Sequence, residues 1–172
     1  MRGVRRRIVG HSETLYALAQ VAVAFAGFAG LMAFVRGRAA GPLTSVQRNR
    51  LIGMVRVALI ATAFSMLPIV VGSQGLSEGA TWRVSGALFA IAFAPIVVIS
   101  WRRLVEIRRA GLSATVPFIP QIATFGLLLL VGSVVFSEHS SGLYLAGLFS
   151  VLLVSGALFF TLVVTLLEES DQ

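Results

Sequence analysis

Five stretches of this chain contain no Asp, Glu, Lys or Arg, and each is long enough to cross a lipid bilayer. A spanning helix needs roughly 20 mainly apolar residues, because each residue adds about 1.5 Å and the hydrocarbon layer is about 30 Å thick. With only short connectors left over, the 172 residues have no room for a separate aqueous domain. The charge-free stretches are 14–35, 57–77, 84–101, 110–137 and 139–167.

This pattern predicts an all-α integral membrane protein, a polytopic bundle of five transmembrane helices forming a single transmembrane domain over residues 1–172. The hydrophobic content of 57% and the mean hydropathy of +0.92 are far above those of soluble domains. A basic tail at 1–12 precedes the spans, and cytoplasmic connectors are expected at 36–54 and 102–116. The predicted spans are about 13–35, 55–75, 83–101, 117–137 and 143–167.

The positions of the arginines predict the orientation, since short basic loops stay in the cytoplasm. The connectors after the first and third spans are basic, which makes the C-terminus cytoplasmic and places the amino terminus outside. We also expect these side chains to contact anionic lipid headgroups. The arginines concerned are Arg48, Arg50, Arg102, Arg103, Arg108 and Arg109.

The basic tail conflicts with this orientation, because Arg2, Arg5, Arg6 and Arg7 would face outward. An alternative with four spans plus a re-entrant first segment removes the conflict. In it, residues 13–35 enter the membrane, bend at 27–30 and return, so that every basic cluster is cytoplasmic. A re-entrant backbone must be shielded by protein or water, whereas a continuous helix needs no shielding.

The first span carries small residues at helical spacing. Ser12 predicts the N-cap of this helix. Ala22, Ala26 and Gly30 then recur at steps of four, which allows another helix backbone to approach closely. We therefore predict helix packing through these three residues, within a homo-oligomer or against another membrane protein.

Three further local features predict structure. Trp82 and Trp101 flank the third span, as residues of an aromatic belt do. Pro68 has no amide hydrogen, so it leaves the carbonyl of Phe64 without its helical donor and should kink the second helix. The polar segment 137–142 predicts a tight turn that joins the last two helices into a hairpin.

A few polar side chains fall within or beside the spans. Arg56 is set inward from a helix end, and its long side chain can extend to the headgroups. The ordinary interpretation of the others is interhelical hydrogen bonding or interfacial solvation. The alternative is a polar path through a small channel or transporter, formed by Glu13, Gln20, Arg56, Gln121 and Thr124.

The sequence lacks the residues that most catalytic and metal sites need. There is no cysteine, and the two histidines, His11 and His139, have few carboxylates near them. None of the common hydrolase, metalloprotease or nucleotide-binding motifs is present. We therefore expect no enzyme activity, cofactor or metal. The arginines lie at helix ends, where membrane orientation and contacts with lipid headgroups account for the basic charge. We therefore expect no nucleic-acid partner.

The segment Ser-Glu-Thr-Leu-Tyr-Ala-Leu-Ala-Gln at 12–20, continuing to Ala-Gly-Phe-Ala-Gly at 26–30, resembles the opening helix of uncharacterised small multi-pass bacterial membrane proteins. The resemblance covers the first span and implies a bacterial inner (plasma) membrane location. It assigns no catalytic residue. The sequence thus predicts a multi-pass membrane protein that acts by helix association or by interaction with lipid or a partner.

Overall fold

The computed structural model of the protein is all-helical within the residues that it describes, which are 2–39, 45–109 and 118–170 for the backbone. Side chains are described at 11–35, 48–49, 51–106, 109, 118–136 and 138–164. The prediction of an all-α bundle with five helices is confirmed. In chain order these are α1 Arg2–Ala39, α2 Ser45–Gly72, α3 Glu78–Arg109, α4 Ile119–Val135, a 3-10 helix Ser137–His139 and α5 Ser140–Ser170.

Helix α1 differs from its prediction at its beginning. It starts at Arg2, and Ser12 is an interior residue of the helix, so the predicted N-cap at Ser12 is wrong. Arginine is a good helix former, and no proline interrupts the chain before Ser12. The helix also runs without a break through residues 27–30, where a re-entrant segment would have to bend.

The boundaries of the other helices follow local features of the sequence. Helix α2 begins at Ser45, before the apolar stretch, and α3 continues past that stretch to Arg109. The predicted hairpin is confirmed, since only Phe136 and the 3-10 helix Ser137–His139 separate α4 from α5. Helix α4 is shorter than the predicted span 117–137, because the chain is already extended at Phe136.

All five helices contribute residues to the core, and α1 contributes Leu15 and Ala22. Helix α2 contacts α3 and α5, and α4 also contacts both α3 and α5. Helix α1 packs on α2 and α5. In the most apolar window of α5, 50% of the residues are buried, compared with 17% in α1. Among the four long helices, α5 is therefore the most enclosed and α1 the most peripheral.

The aromatic core lies where α2, α3 and α5 meet. The rings of Phe64 and Phe89 stack with centroids 4.3 Å apart and an interplanar angle of 5°. Phe89 also contacts Phe93 and Tyr144, and Tyr144 contacts Trp82 at 5.5 Å. Trp82, at the beginning of α3, is 6% exposed, because it packs against Tyr144 of α5.

The carbonyl that Pro68 deprives of its helical donor has another donor. Tyr144 lies across the core on α5 and donates its hydroxyl hydrogen to the carbonyl oxygen of Phe64, at 2.5 Å. The Tyr144 side chain is fully buried. A buried carbonyl needs a hydrogen-bond partner, and this one is supplied from a different helix. The bond therefore links α2 to α5 at the proline.

Small residues bring α4 close to its two neighbours. A Cβ atom on Gly147 of α5 would lie 2.8 Å from the side chain of Leu130, and one on Gly126 of α4 would lie 3.0 Å from Ser150. On the other side of α4, Ser133 occupies the space that a Cβ on Gly86 of α3 would need. Small residues at these contacts permit packing without a hydrophobic driving force between helices, as membrane bundles require.

The bundle has two chemically different ends, because successive helices alternate in direction. We call one the glutamate end, where α1 passes His11, α2 ends and α3 begins. The opposite one is the arginine end. At the two ends, the charged residues with described side chains are Glu13, Glu78, Arg83 and Glu138 near the glutamate end, and Arg48, Arg102, Arg103, Glu106 and Arg109 near the arginine end. Because α1 starts at Arg2, its first turns belong to the glutamate end.

Four helices of the described chain are long and apolar enough to cross a membrane, through segments His11–Val35, Leu51–Gly72, Glu78–Glu106 and Ser140–Val164. The fifth apolar helix, α4, has 17 residues. At helical rise it covers about 26 Å, slightly less than the usual hydrocarbon thickness.

Candidate functional site

The predicted polar path does not converge on the interior of the bundle. Gln20, Arg56 and Gln121 are exposed, and they belong to three different helices. Glu13 is exposed as well, near the glutamate end. Thr124 is half-buried, and its hydroxyl group is already used in hydrogen bonds.

Thr124 connects two helices near the arginine end. Its Oγ1 accepts a hydrogen bond from the indole Nε1 of Trp101 at 2.7 Å and donates to the carbonyl oxygen of Pro120 at 2.7 Å. Trp101 is 37% exposed, as expected for a residue at the membrane interface. The bond attaches the end of α3 to the beginning of α4. It gives Thr124 a structural explanation.

The small residues of α1 are divided between two faces. Ala22 and Ala29 are fully buried against the bundle, and Ala26 is half-buried. Gly30 is exposed, and no other atom lies within 4 Å of the position that its Cβ would occupy. Within this chain, close packing of α1 therefore uses Ala22 and Ala29, and Gly30 is open to the surroundings.

The structure describes the side chains of four of the six arginines predicted to contact lipid. Arg48, Arg102, Arg103 and Arg109 are exposed at the arginine end. Arg50 and Arg108 are in helices α2 and α3, but their side chains lie outside the described residues. The exposed guanidinium groups form a positively charged rim around this end of the bundle.

Sequence reasoning missed a cavity at the glutamate end, which we call the glutamate-end cavity. Its volume is about 500 Å³, within the range of small-molecule sites in proteins. Residues from α1, from the end of α2 and from the beginning of α3 surround it. The lining consists of His11, Ser12, Leu15, Pro68, Ile69, Gly72, Ser73, Leu76, Glu78, Thr81 and Trp82.

The wall of the cavity is held by aromatic contacts and short-range hydrogen bonds. The imidazole of His11 contacts the indole of Trp82 edge to face, with ring centroids 5.5 Å apart. Thr81 donates from Oγ1 to the carbonyl oxygen of Ser77 at 3.0 Å, and Ser73 donates from Oγ to the carbonyl oxygen of Val70 at 2.7 Å. Both hydroxyl hydrogens are thereby used, which leaves oxygen lone pairs as acceptors.

Glu78 supplies the negative charge of the cavity. It is half-buried in the first turn of α3, and the other lining residues include no second carboxylate. Within the part of the chain whose side chains are described, no cation pairs with Glu78. His11 and Glu78 are far apart in sequence, so local spacing gave no signal for this site. Only the packing of α1 beside the α2–α3 connection brings them to one cavity.

The described side chains contain no group of three or more His, Cys, Asp or Glu residues that could hold a metal ion. No protein-family model, curated protein or solved structure matches this chain. The resemblance of the first helix to small bacterial membrane proteins therefore stays a prediction.

Proposed function

We propose that this chain is a multi-pass protein of the bacterial inner membrane that acts by association through its outer surface, with a second copy, another membrane protein or lipid. It is not an enzyme in this proposal. Large apolar side chains lie exposed along all five helices, as a lipid or partner surface requires. The most exposed include Ile91 at 71%, Phe160 at 67% and Leu128 at 63%.

The proposed topology has five crossings. Helix α4 crosses as the shortest of the five, with the bilayer thinning locally to match it, at a cost of a fraction of a kcal/mol per Å. The arginine end faces the cytoplasm, so the C-terminus is cytoplasmic and the amino terminus is outside. The rim of arginines then contacts anionic lipid headgroups. The continuity of α1 supports a full first crossing over a re-entrant segment.

The observation that carries the proposal is the placement of polar groups. The core cluster consists of aliphatic and aromatic side chains and the buried polar side chains are small hydroxyl groups, while Gln20, Arg56 and Gln121 lie on the outside of three helices. A path through the middle of the bundle needs polar side chains facing that middle. The small channel or transporter remains the alternative function, with Gln20, Arg56, Gln121 and Thr124 as its lining.

Vesicle permeation distinguishes these two functions. The protein and its Arg56→Leu variant are reconstituted into liposomes, and ion and solute release is compared with empty liposomes. We expect no release above the empty control in either protein, because Arg56 extends toward headgroups. Reproducible release that Arg56→Leu abolishes would overturn the association proposal and establish the channel or transporter.

Self-association can be tested by cross-linking, because the chain has no cysteine. A cysteine replacing Gly30 is open to a neighbouring molecule, whereas one replacing Ala29 is fully buried and serves as the matched control. With copper phenanthroline added as the oxidant, we expect Gly30→Cys to form disulfide-linked dimers in the membrane and Ala29→Cys to remain monomeric. Monomeric Gly30→Cys at high protein density would contradict contact between copies through this face of α1.

A further inference from the structure

We infer that the glutamate-end cavity binds an ammonium group carried on an apolar body. The cavity has two chemically distinct parts. Its polar part is formed by Glu78, the rings of Trp82 and His11, and the hydroxyl-bearing residues Ser12, Ser73 and Thr81. Leu15, Ile69 and the neighbouring apolar residues form the rest of its lining. This inference goes beyond surface association, since it assigns a ligand to a defined cavity between α1, α2 and α3.

The charge of the ligand follows from Glu78. Glu78 is half-buried, and among the described side chains no cation pairs with it, so its negative charge is open to compensation by a cationic ligand. An ammonium group supplies the missing charge and three hydrogen-bond donors. The hydroxyl oxygens of Ser73 and Thr81 are acceptors, because their hydrogens bond backbone carbonyls.

The aromatic wall also favours a cation. Ring contacts with His11 and Tyr144 hold Trp82 in place and leave it 6% exposed, and the accessible part of its indole borders the cavity. Indole gives the strongest cation–π attraction of the side chains. The amino terminus of α3 attracts anions in general. Here Glu78 already places a negative charge in that first turn, so an anionic ligand would meet repulsion.

The apolar part of the lining determines the remainder of the ligand. Leu15 is 2% exposed, and Pro68 is buried beside the cavity. A hydrocarbon or aryl group placed there is removed from water and stabilises binding in proportion to its buried area. Two sources provide such a ligand, namely a free apolar amine and a lipid with an ethanolamine headgroup.

The two tryptophans of the chain make the cavity directly observable. Trp101→Phe leaves Trp82 as the one remaining tryptophan, in the wall of the cavity. The purified single-tryptophan protein in detergent is titrated with phenethylammonium, and with 3-phenylpropionate as an anion of similar size. We expect a saturable change in Trp82 emission with the ammonium compound only. A missing response, or equal binding of the carboxylate, would overturn the inference.

Glu78→Gln tests the carboxylate, and Glu13→Gln is the matched control. Both glutamates lie near the same end, but Glu13 is exposed and does not line the cavity. We expect Glu78→Gln to weaken phenethylammonium binding about tenfold or more, and Glu13→Gln to leave it unchanged. Equal weakening by both substitutions would show that only the overall charge matters, which would refute a site at Glu78.

Leu76→Arg provides a second test that does not depend on the folding of Glu78→Gln. Leu76 is 46% exposed at the edge of the cavity, between α2 and α3. Its replacement introduces a cation beside Glu78 that competes with the ligand. We expect phenethylammonium binding to be lost while helix content and thermal unfolding remain unchanged. Unchanged binding in a variant with intact helix content would contradict an ammonium site.

Nanodiscs separate the two ligand sources. The single-tryptophan protein is placed in phosphatidylcholine nanodiscs with and without phosphatidylethanolamine, and phenethylammonium is titrated into each. If the lipid headgroup occupies the cavity, phosphatidylethanolamine alters Trp82 emission and lowers the apparent affinity for phenethylammonium. If a free amine is the ligand, the affinity is the same in both. Absence of any response in both nanodiscs would refute the site.

Discussion

Replacing Tyr144 with Phe should destabilise the protein at Pro68, where α2 lacks one backbone hydrogen bond. The substitution keeps the ring, which contacts Trp82 and Phe89, and removes only the hydroxyl group. The carbonyl oxygen of Phe64 then loses its 2.5 Å hydrogen bond in a place that water does not reach. No amide at position 68 can replace the lost donor.

Two kinds of measured values bound the loss of unfolding free energy that Tyr144→Phe should cause. An unsatisfied buried acceptor costs about 1–3 kcal/mol in water-soluble proteins. Interhelical hydrogen bonds in a membrane bundle average about 0.6 kcal/mol, with a maximum near 1.7. We therefore expect Tyr144→Phe to lower the free energy of unfolding by about 1 kcal/mol, near the middle of these values. Tyr16→Phe, at the exposed second tyrosine, should have no effect.

A double-mutant cycle tests the reason for the loss. Pro68→Ala restores an amide hydrogen that can bond to the Phe64 carbonyl within the helix, so the Tyr144 hydroxyl becomes less important. In that background the cost of Tyr144→Phe should fall, giving a coupling energy of about 0.5–1 kcal/mol. Unfolding by SDS in mixed micelles, followed by tryptophan fluorescence, measures all four proteins. Equal costs of Tyr144→Phe in both backgrounds would refute the reasoning.

Three other perturbations can be measured in the same unfolding assay. Gly147→Ala should destabilise the folded protein by about 1–3 kcal/mol, because the added methyl group overpacks against α4. Gly142→Ala on the same helix meets open space and should have little effect. Equal effects of the two substitutions would contradict the close α4–α5 contact. Ala22→Leu should destabilise by a similar amount by pushing α1 away from the bundle, whereas Ala24→Leu on the exposed face should be neutral. Trp101→Phe should cost about 0.6 kcal/mol, since it removes one interhelical hydrogen bond.

The helices themselves were predictable because each is encoded by its own stretch of sequence. The apolar runs indicated five helices, and the polar segment 137–142 indicated the hairpin between α4 and α5. The start of α2 at Ser45 and the extension of α3 to Arg109 also follow from local residues. The start of α1 was missed because a favourable capping residue at Ser12 does not end a helix that the preceding residues can continue.

The contacts between helices were less predictable, because the residues that contact each other lie far apart in the sequence. Small residues occur on several faces of α1, so spacing could not tell that Ala29 is buried while Gly30 is open. The free carbonyl of Phe64 was foreseen from Pro68, but its donor is 80 residues away in sequence. The glutamate-end cavity could not be foreseen for the same reason.

The most direct test of the central claim is the topology of the chain in the cell. Reporters active on only one side of the membrane are fused at Met1, within the 137–142 turn and after Gln172. Five crossings with the arginine end inside predict a cytoplasmic signal after Gln172 and outside signals at the other two positions. A cytoplasmic signal at Met1 together with one after Gln172 would contradict five crossings and favour a re-entrant first segment. An outside signal after Gln172 would contradict the orientation.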